Sequence, residues 1–142
     1  MNIKTCFQPR PVATSVSLTL LILRIIVGIA FVYHGWGKVQ NPFAWMPNSA
    51  IPGFFQFLAA LSEFAGGIAL IFGLFTPIAS SGLACTMLVA TYFHALKGDP
   101  FVNMTGGGSF EPALVYVAIS LVLVAIGPGQ FSLDAFIFKT RK

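Results

Sequence analysis

The sequence predicts an all-α membrane protein, a four-transmembrane-helix bundle with both termini cytoplasmic. Three observations carry that expectation. Apolar residues make up 56 % of the 142 residues and charged residues only 8 %, where about a quarter charged is usual for soluble chains. The mean hydropathy is +0.85. The apolar residues gather into four long runs. These runs lack the short alternation of a membrane barrel, and a helix satisfies its backbone hydrogen bonds within one segment even in lipid.

Helix one is expected over 17–37. A charged stretch precedes it, as in a signal peptide. However, the run is longer than a typical signal core, carries Arg24 and lacks a clear A-x-A cleavage site, so it reads as a retained span. Helix two is expected over 54–75, with Pro77 punctuating the chain. Helix three follows over 78–96. The tight "FTPIAS" turn between them predicts an antiparallel hairpin. Helix four is expected over 111–126, closed by Gly127-Pro128-Gly129. Pro112 suits its first turn, and Glu111 suits the positive end of its dipole. A core of ~30 Å needs about 20 helical residues, so the first three runs span it and the fourth spans most of it. Residues 130–138 read as a short amphipathic segment on the inner surface. The whole chain, 1–142, is one membrane domain.

The net charge of +4 forms no stripe that would suit nucleic acid. Lys4 and Arg10 precede the first run, and Lys139, Arg141 and Lys142 follow the last. Lys38 and Lys97 lie on the opposite side. Positive residues favour the cytoplasm, so both termini are expected there, in a multi-pass protein of the plasma (inner) membrane. The two long loops, "KVQNPFAWMPNSAIPG" and "KGDPFVNMTGGGSF", should then face outward. The two cysteines, Cys6 and Cys85, form no CxxC and read as free thiols. No metal site is expected. The "TGGGS" run lacks the features of a phosphate loop.

Ionisable residues within spans are costly and face the interior, so each is a candidate. At 100° per residue, Arg24, Gly28, Phe31, Gly35 and Lys38 share one stripe of helix one. Gln56, Ala59, Ala60, Glu63, Gly66, Gly67 and Leu70 share one on helix two. The depths of Arg24 and Glu63, counted from the outer ends, differ by roughly 6 Å, so the two are expected to pair across the helices. That pair is either a structural lock or part of a site in which Glu63 takes protons. His34 and His94, near the outer ends of helices one and three, are either hydrated interface residues or proton-handling groups. Glu111, Lys38, Lys97 and Asp99 lie near the same level. A haem between the histidines is not expected.

The ordered set "GIAFVYHGWGKV", "ALSEFAGGIALIFGLFTPIAS", "ATYFHALKG" and "GPGQFSLD" resembles the DoxX family of small four-helix membrane proteins, from about Leu20 to Asp134. The resemblance implies a prokaryotic plasma-membrane protein near quinone or thiol redox chemistry. Arg24, His34, Gly35, Lys38, Glu63, Gly66, Gly67, His94, Glu111, Ser132 and Asp134 match the family's recurring polar and glycine positions. The candidate catalytic residues are therefore Glu63, His34 and His94. The candidate substrate-binding residues are Arg24, Lys38, Glu111, Gly66 and Gly67.

Three functions fit. The first is a redox component or oxidoreductase subunit that binds a lipid quinone or quinol within the bundle, with no covalently bound cofactor. The second is a non-catalytic anchor for a soluble oxidoreductase or another membrane subunit. The third is a small-solute transporter or channel, which four helices allow only as a homo-oligomer.

Overall fold

The structure, a computed structural model, describes residues 7–47 and 49–138. Lys4, Cys6, Lys139, Arg141 and Lys142, on which the charge-based orientation and one free thiol rest, lie outside the described residues. Among the described residues all regular structure is helical. The main helices are α1 (Thr14–Val39), α2 (Gly53–Phe72), α3 (Thr76–Leu96) and α4 (Glu111–Ile126), followed by the short α5 (Leu133–Phe138). The first three are long and apolar enough to cross a membrane, with mean hydropathies of 2.4, 1.7 and 1.3. The 16 residues of α4 reach only ~24 Å at ~1.5 Å per residue, short of a ~30 Å core.

Local chemistry sets the boundaries. α2 stops three residues earlier than its apolar run, because Gly73 adopts a left-handed conformation with φ 64°. Its N–H donates to Leu70 O at 3.1 Å and the Leu74 N–H donates to Ala69 O at 2.8 Å, a Schellman closure that uses up the last carbonyls. α3 then begins two residues before its expected start. Pro77 lies inside its first turn, where a missing N–H costs nothing, so this proline starts α3 rather than separating two helices. α1 runs two residues past the expected end, through "HGWGK" to Val39.

The four main helices pack in sequence, α1 on α2, α2 on α3 and α3 on α4. Leu20, Val27 and Phe31 of α1 meet Leu70, Leu83, Val117 and Leu123 in one buried cluster. The α1–α2 contact is backbone against backbone. A Cβ added at Gly67 would lie 2.8 Å from Gly28 O and 2.9 Å from Val32 N, and one at Gly35 would lie 2.6 Å from Phe64 N. Small residues permit this approach in lipid, where packing rather than water drives association. Gly67→Ala is expected to push the helices apart and destabilise the protein by about 1–3 kcal/mol. A thermal melt in nanodiscs checks this; an unchanged midpoint would show that the contact adapts freely.

This close contact fixes the stagger. Gly28 faces Ile71 and Gly35 faces Phe64, so Glu63 is level with Trp36. Gly53 is then level with residue 46, and α2 projects roughly 10 Å beyond the end of α1 at ~1.5 Å per residue. Phe43, Trp45, Met46 and Ile51, between α1 and α2, pack on that projection. Trp45 Nε1 donates to Gln56 O at 2.9 Å, Met46 N donates to Gln56 Oε1 at 3.0 Å, and Gln56 Nε2 donates to Ile51 O at 3.0 Å. Phe43 stacks on Phe57.

Candidate functional site

A groove of about 880 Å³ runs between α2 and α3. Its wall is mostly apolar, and lining residues such as Leu58, Leu61, Ile78 and Val89 are exposed, so the groove opens sideways to the region lipid would occupy. Lys38, Glu63, His94 and Lys97 give it a polar end beneath the two long loops.

Glu63 is 1 % exposed. Lys38 Nζ donates to its Oε1 at 2.5 Å. The ammonium also stands 4.5 Å from the centre of the Trp45 ring, a cation–π contact that adds to its binding. Among the described residues Glu63 Oε2 has no hydrogen-bond partner, and neither has the buried Oγ of the adjacent Ser62. Ser62 packs towards Gly82 of α3, where a Cβ would lie 2.9 Å from its hydroxyl. His94 Nδ1 lies 2.7 Å from Asp99 Oδ2.

The expected pairing of Arg24 with Glu63 does not form. The stagger places them twelve residues apart along α1, roughly 18 Å at ~1.5 Å per residue. The depth count assumed that α1 and α2 end together at the loop side, and the projection of α2 breaks that assumption. Lys38, on the same stripe as Arg24, takes the carboxylate instead.

Arg24 is fully buried at the opposite end. Nη1 donates to Leu70 O at 3.5 Å and Nη2 to Phe131 O at 2.5 Å. Leu70 O lies in the last turn of α2, the negative end of its dipole, which suits a guanidinium. Asp134, also fully buried, acts on Arg24 electrostatically. Its two oxygens accept the Phe75 and Thr76 N–H groups at 2.7 and 2.8 Å, and its own N–H donates to Gly73 O at 2.9 Å. The carboxylate thus caps α3 from a remote segment and holds Phe75 at φ 46°. "GLFTP" and "GPGQFSLD" come together here as one structural knot with Arg24.

The other candidates separate as well. Gly66 lines the groove, whereas Gly67 is packed on the α1 backbone, away from it. His34 is exposed on the other side of α1, its ring 6.3 Å from those of Phe31 and Tyr116. It does not face His94. Glu111 opens α4 and is absent from the groove wall. Sequence reasoning missed Ser62 as a site residue and Trp45 as the partner of Lys38. It placed Gln56 on the inner stripe without its role in anchoring the loop. Asp134 had a signal, its place in the "GPGQFSLD" motif.

Three membrane-length helices, a fourth shorter apolar one and a lateral groove ending in a buried ion pair define a small multi-helix membrane protein. The DoxX family model matches residues 19–95, and the chain belongs to the DoxX family. It is 33 % identical over 131 residues to "Putative oxidoreductase CatD" of Bacillus subtilis, covering 90 % of this chain and 93 % of the relative. It is 32 % identical over 124 residues to "Inner membrane protein YqjF" of Escherichia coli, covering 84 % and 92 %. An uncharacterized protein of Haemophilus influenzae is 37 % identical over 124 residues, covering 84 % and 91 %. No solved structure matches the chain.

Proposed function

We propose that the chain is an integral component of a membrane redox system, and that a lipid quinone or quinol enters the α2–α3 groove sideways from the bilayer. The observation that carries this reading is Glu63, a buried carboxylate in the wall of an apolar groove open to lipid. Quinone chemistry moves protons with electrons, so it needs titratable groups at membrane depth. Glu63 supplies the proton-handling group, Lys38 its counter-ion and His94 a second titratable group near the mouth. Gly66 adds no side chain to the wall. Arg24, Gly67, His34 and Glu111 lie outside this site, and the reading gives them no contact with the ring.

The name of the Bacillus relative, an oxidoreductase, agrees with this reading. The electron partner is a soluble oxidoreductase or another membrane subunit. The charge distribution supports four crossings of the inner membrane with both termini cytoplasmic, which reporter fusions at the C-terminus test. A photoreactive alkylquinone in nanodiscs tests the site. It should label peptides of α2 and α3, and Lys38→Met, which removes the cationic donor open to a ring carbonyl, should lower that labelling about tenfold, the loss of one charge-assisted hydrogen bond. Labelling elsewhere, or equal labelling of the variant, rejects the assignment.

A further inference from the structure

We infer that the groove selects the reduced, hydroxyl-bearing form of its ring ligand over the oxidised form, and that Glu63 Oε2 is the selecting atom. The inference rests on the groove reading above and adds to it the redox state that the site recognises.

The reasoning is a count of hydrogen-bond capacity at the polar end. The Gln56 amide is already committed through Oε1 to Met46 N and through Nε2 to Ile51 O. Trp45 Nε1 is committed to Gln56 O, and His94 Nδ1 is taken by Asp99. Thr86 Oγ1 donates to Gly82 O of its own helix. Among the described residues two buried polar atoms in the wall are left without a partner, Glu63 Oε2 and Ser62 Oγ. A serine hydroxyl donates or accepts, so it serves either form of a ligand. A carboxylate already paired with an ammonium accepts only. Leaving its second oxygen unpaired in a dry site costs more than leaving a neutral group unpaired.

The occupant that satisfies Oε2 must therefore bring a donor. A quinol ring does so with either hydroxyl. A quinone presents only carbonyl oxygens, and a carbonyl set against Oε2 places acceptor against acceptor. The remaining donors on Lys38 Nζ are open to the second ring oxygen in both forms and do not discriminate. Lys97, also in the wall, brings only donors and likewise serves either form, so among the buried groups of the wall the discrimination comes from the carboxylate oxygen that Lys38 leaves free. A charge-assisted hydrogen bond gained by one form and denied to the other corresponds to about tenfold or more in affinity.

The test is competition against the photoreactive alkylquinone in nanodiscs under anaerobic conditions. The competitors are decylubiquinol, decylubiquinone and the dimethyl ether of the quinol, which keeps the ring and tail but lacks both donors. The quinol is expected to displace the label at about one tenth of the lipid mole fraction needed by the quinone or the ether. In Glu63→Gln, whose amide both donates and accepts, the difference between quinol and quinone should shrink to about threefold or less. Quinone or ether competing as well as the quinol overturns the inference and leaves the groove reading standing. Absence of labelling in α2 and α3 overturns the groove reading, and the inference with it. The wild-type comparison decides between these outcomes even if the variant fails to fold.

Discussion

Asp134→Ala is expected to lower the thermal midpoint on the order of 10 °C, from a loss of about 3–5 kcal/mol. The Asp134 side chain ties the C-terminal segment to the start of α3. The carboxylate accepts two backbone N–H groups, from Phe75 and Thr76, and hydrogen bonds to a charged group contribute about 1.5–3 kcal/mol each. Those two donors lie at the first turn of α3, where helix N–H groups have no partner of their own. Without the carboxylate they are left in a buried turn. Phe75 is then held at φ 46° by the chain alone, a conformation costing a non-glycine residue on the order of 1–3 kcal/mol. Arg24 also loses the nearby negative charge in a fully buried setting. Asp134→Asn keeps one acceptor and should lose about half as much. Melts of both variants in nanodiscs check the ordering. A midpoint within a degree or two of wild type for Asp134→Ala would show that the Gly73 closure holds the turn by itself.

The helices were legible because lipid imposes one strong rule, and long apolar runs report it directly. The inner stripes of α1 and α2 were legible for the same reason. Arg24, Gly28, Phe31 and Gly35 are buried, as are Gln56, Ala60, Glu63, Gly66, Gly67 and Leu70. Periodicity fixes which residues share a face but says nothing about axial offset between two helices. That offset came from Gly28, Gly35 and Gly67, whose backbones interlock at one register. It moved Glu63 from the level of Arg24 to that of Lys38, and so changed the ion pair. The role of Asp134 was hidden for another reason. A cap supplied by a segment 58 residues away in sequence leaves no local pattern around Thr76. His34 and His94 share a similar place in their helices, but helical phase turns one outward towards Tyr116 and the other into the groove.

Lys38→Met is expected to destabilise the protein by about 3 kcal/mol, because it leaves the buried carboxyl of Glu63 without its partner. Glu63→Leu leaves the ammonium of Lys38, which is 25 % exposed in its side chain, freer to reach water, so its cost should be smaller. The double variant Lys38→Met/Glu63→Leu removes both charges from a mostly apolar groove. Replacing a buried ion pair by apolar side chains of similar size is often neutral or stabilising, so the double variant should recover most of the loss. The coupling between the two sites should then reach about 2 kcal/mol or more. Midpoints of the four proteins in nanodiscs provide the cycle. Additive effects would mean that the 2.5 Å contact contributes nothing of its own. A double variant as stable as wild type that no longer takes the photoreactive quinone would separate the two roles of the pair. The fold would not need Lys38 and Glu63, and their burial in the groove wall would then be explained by the ligand.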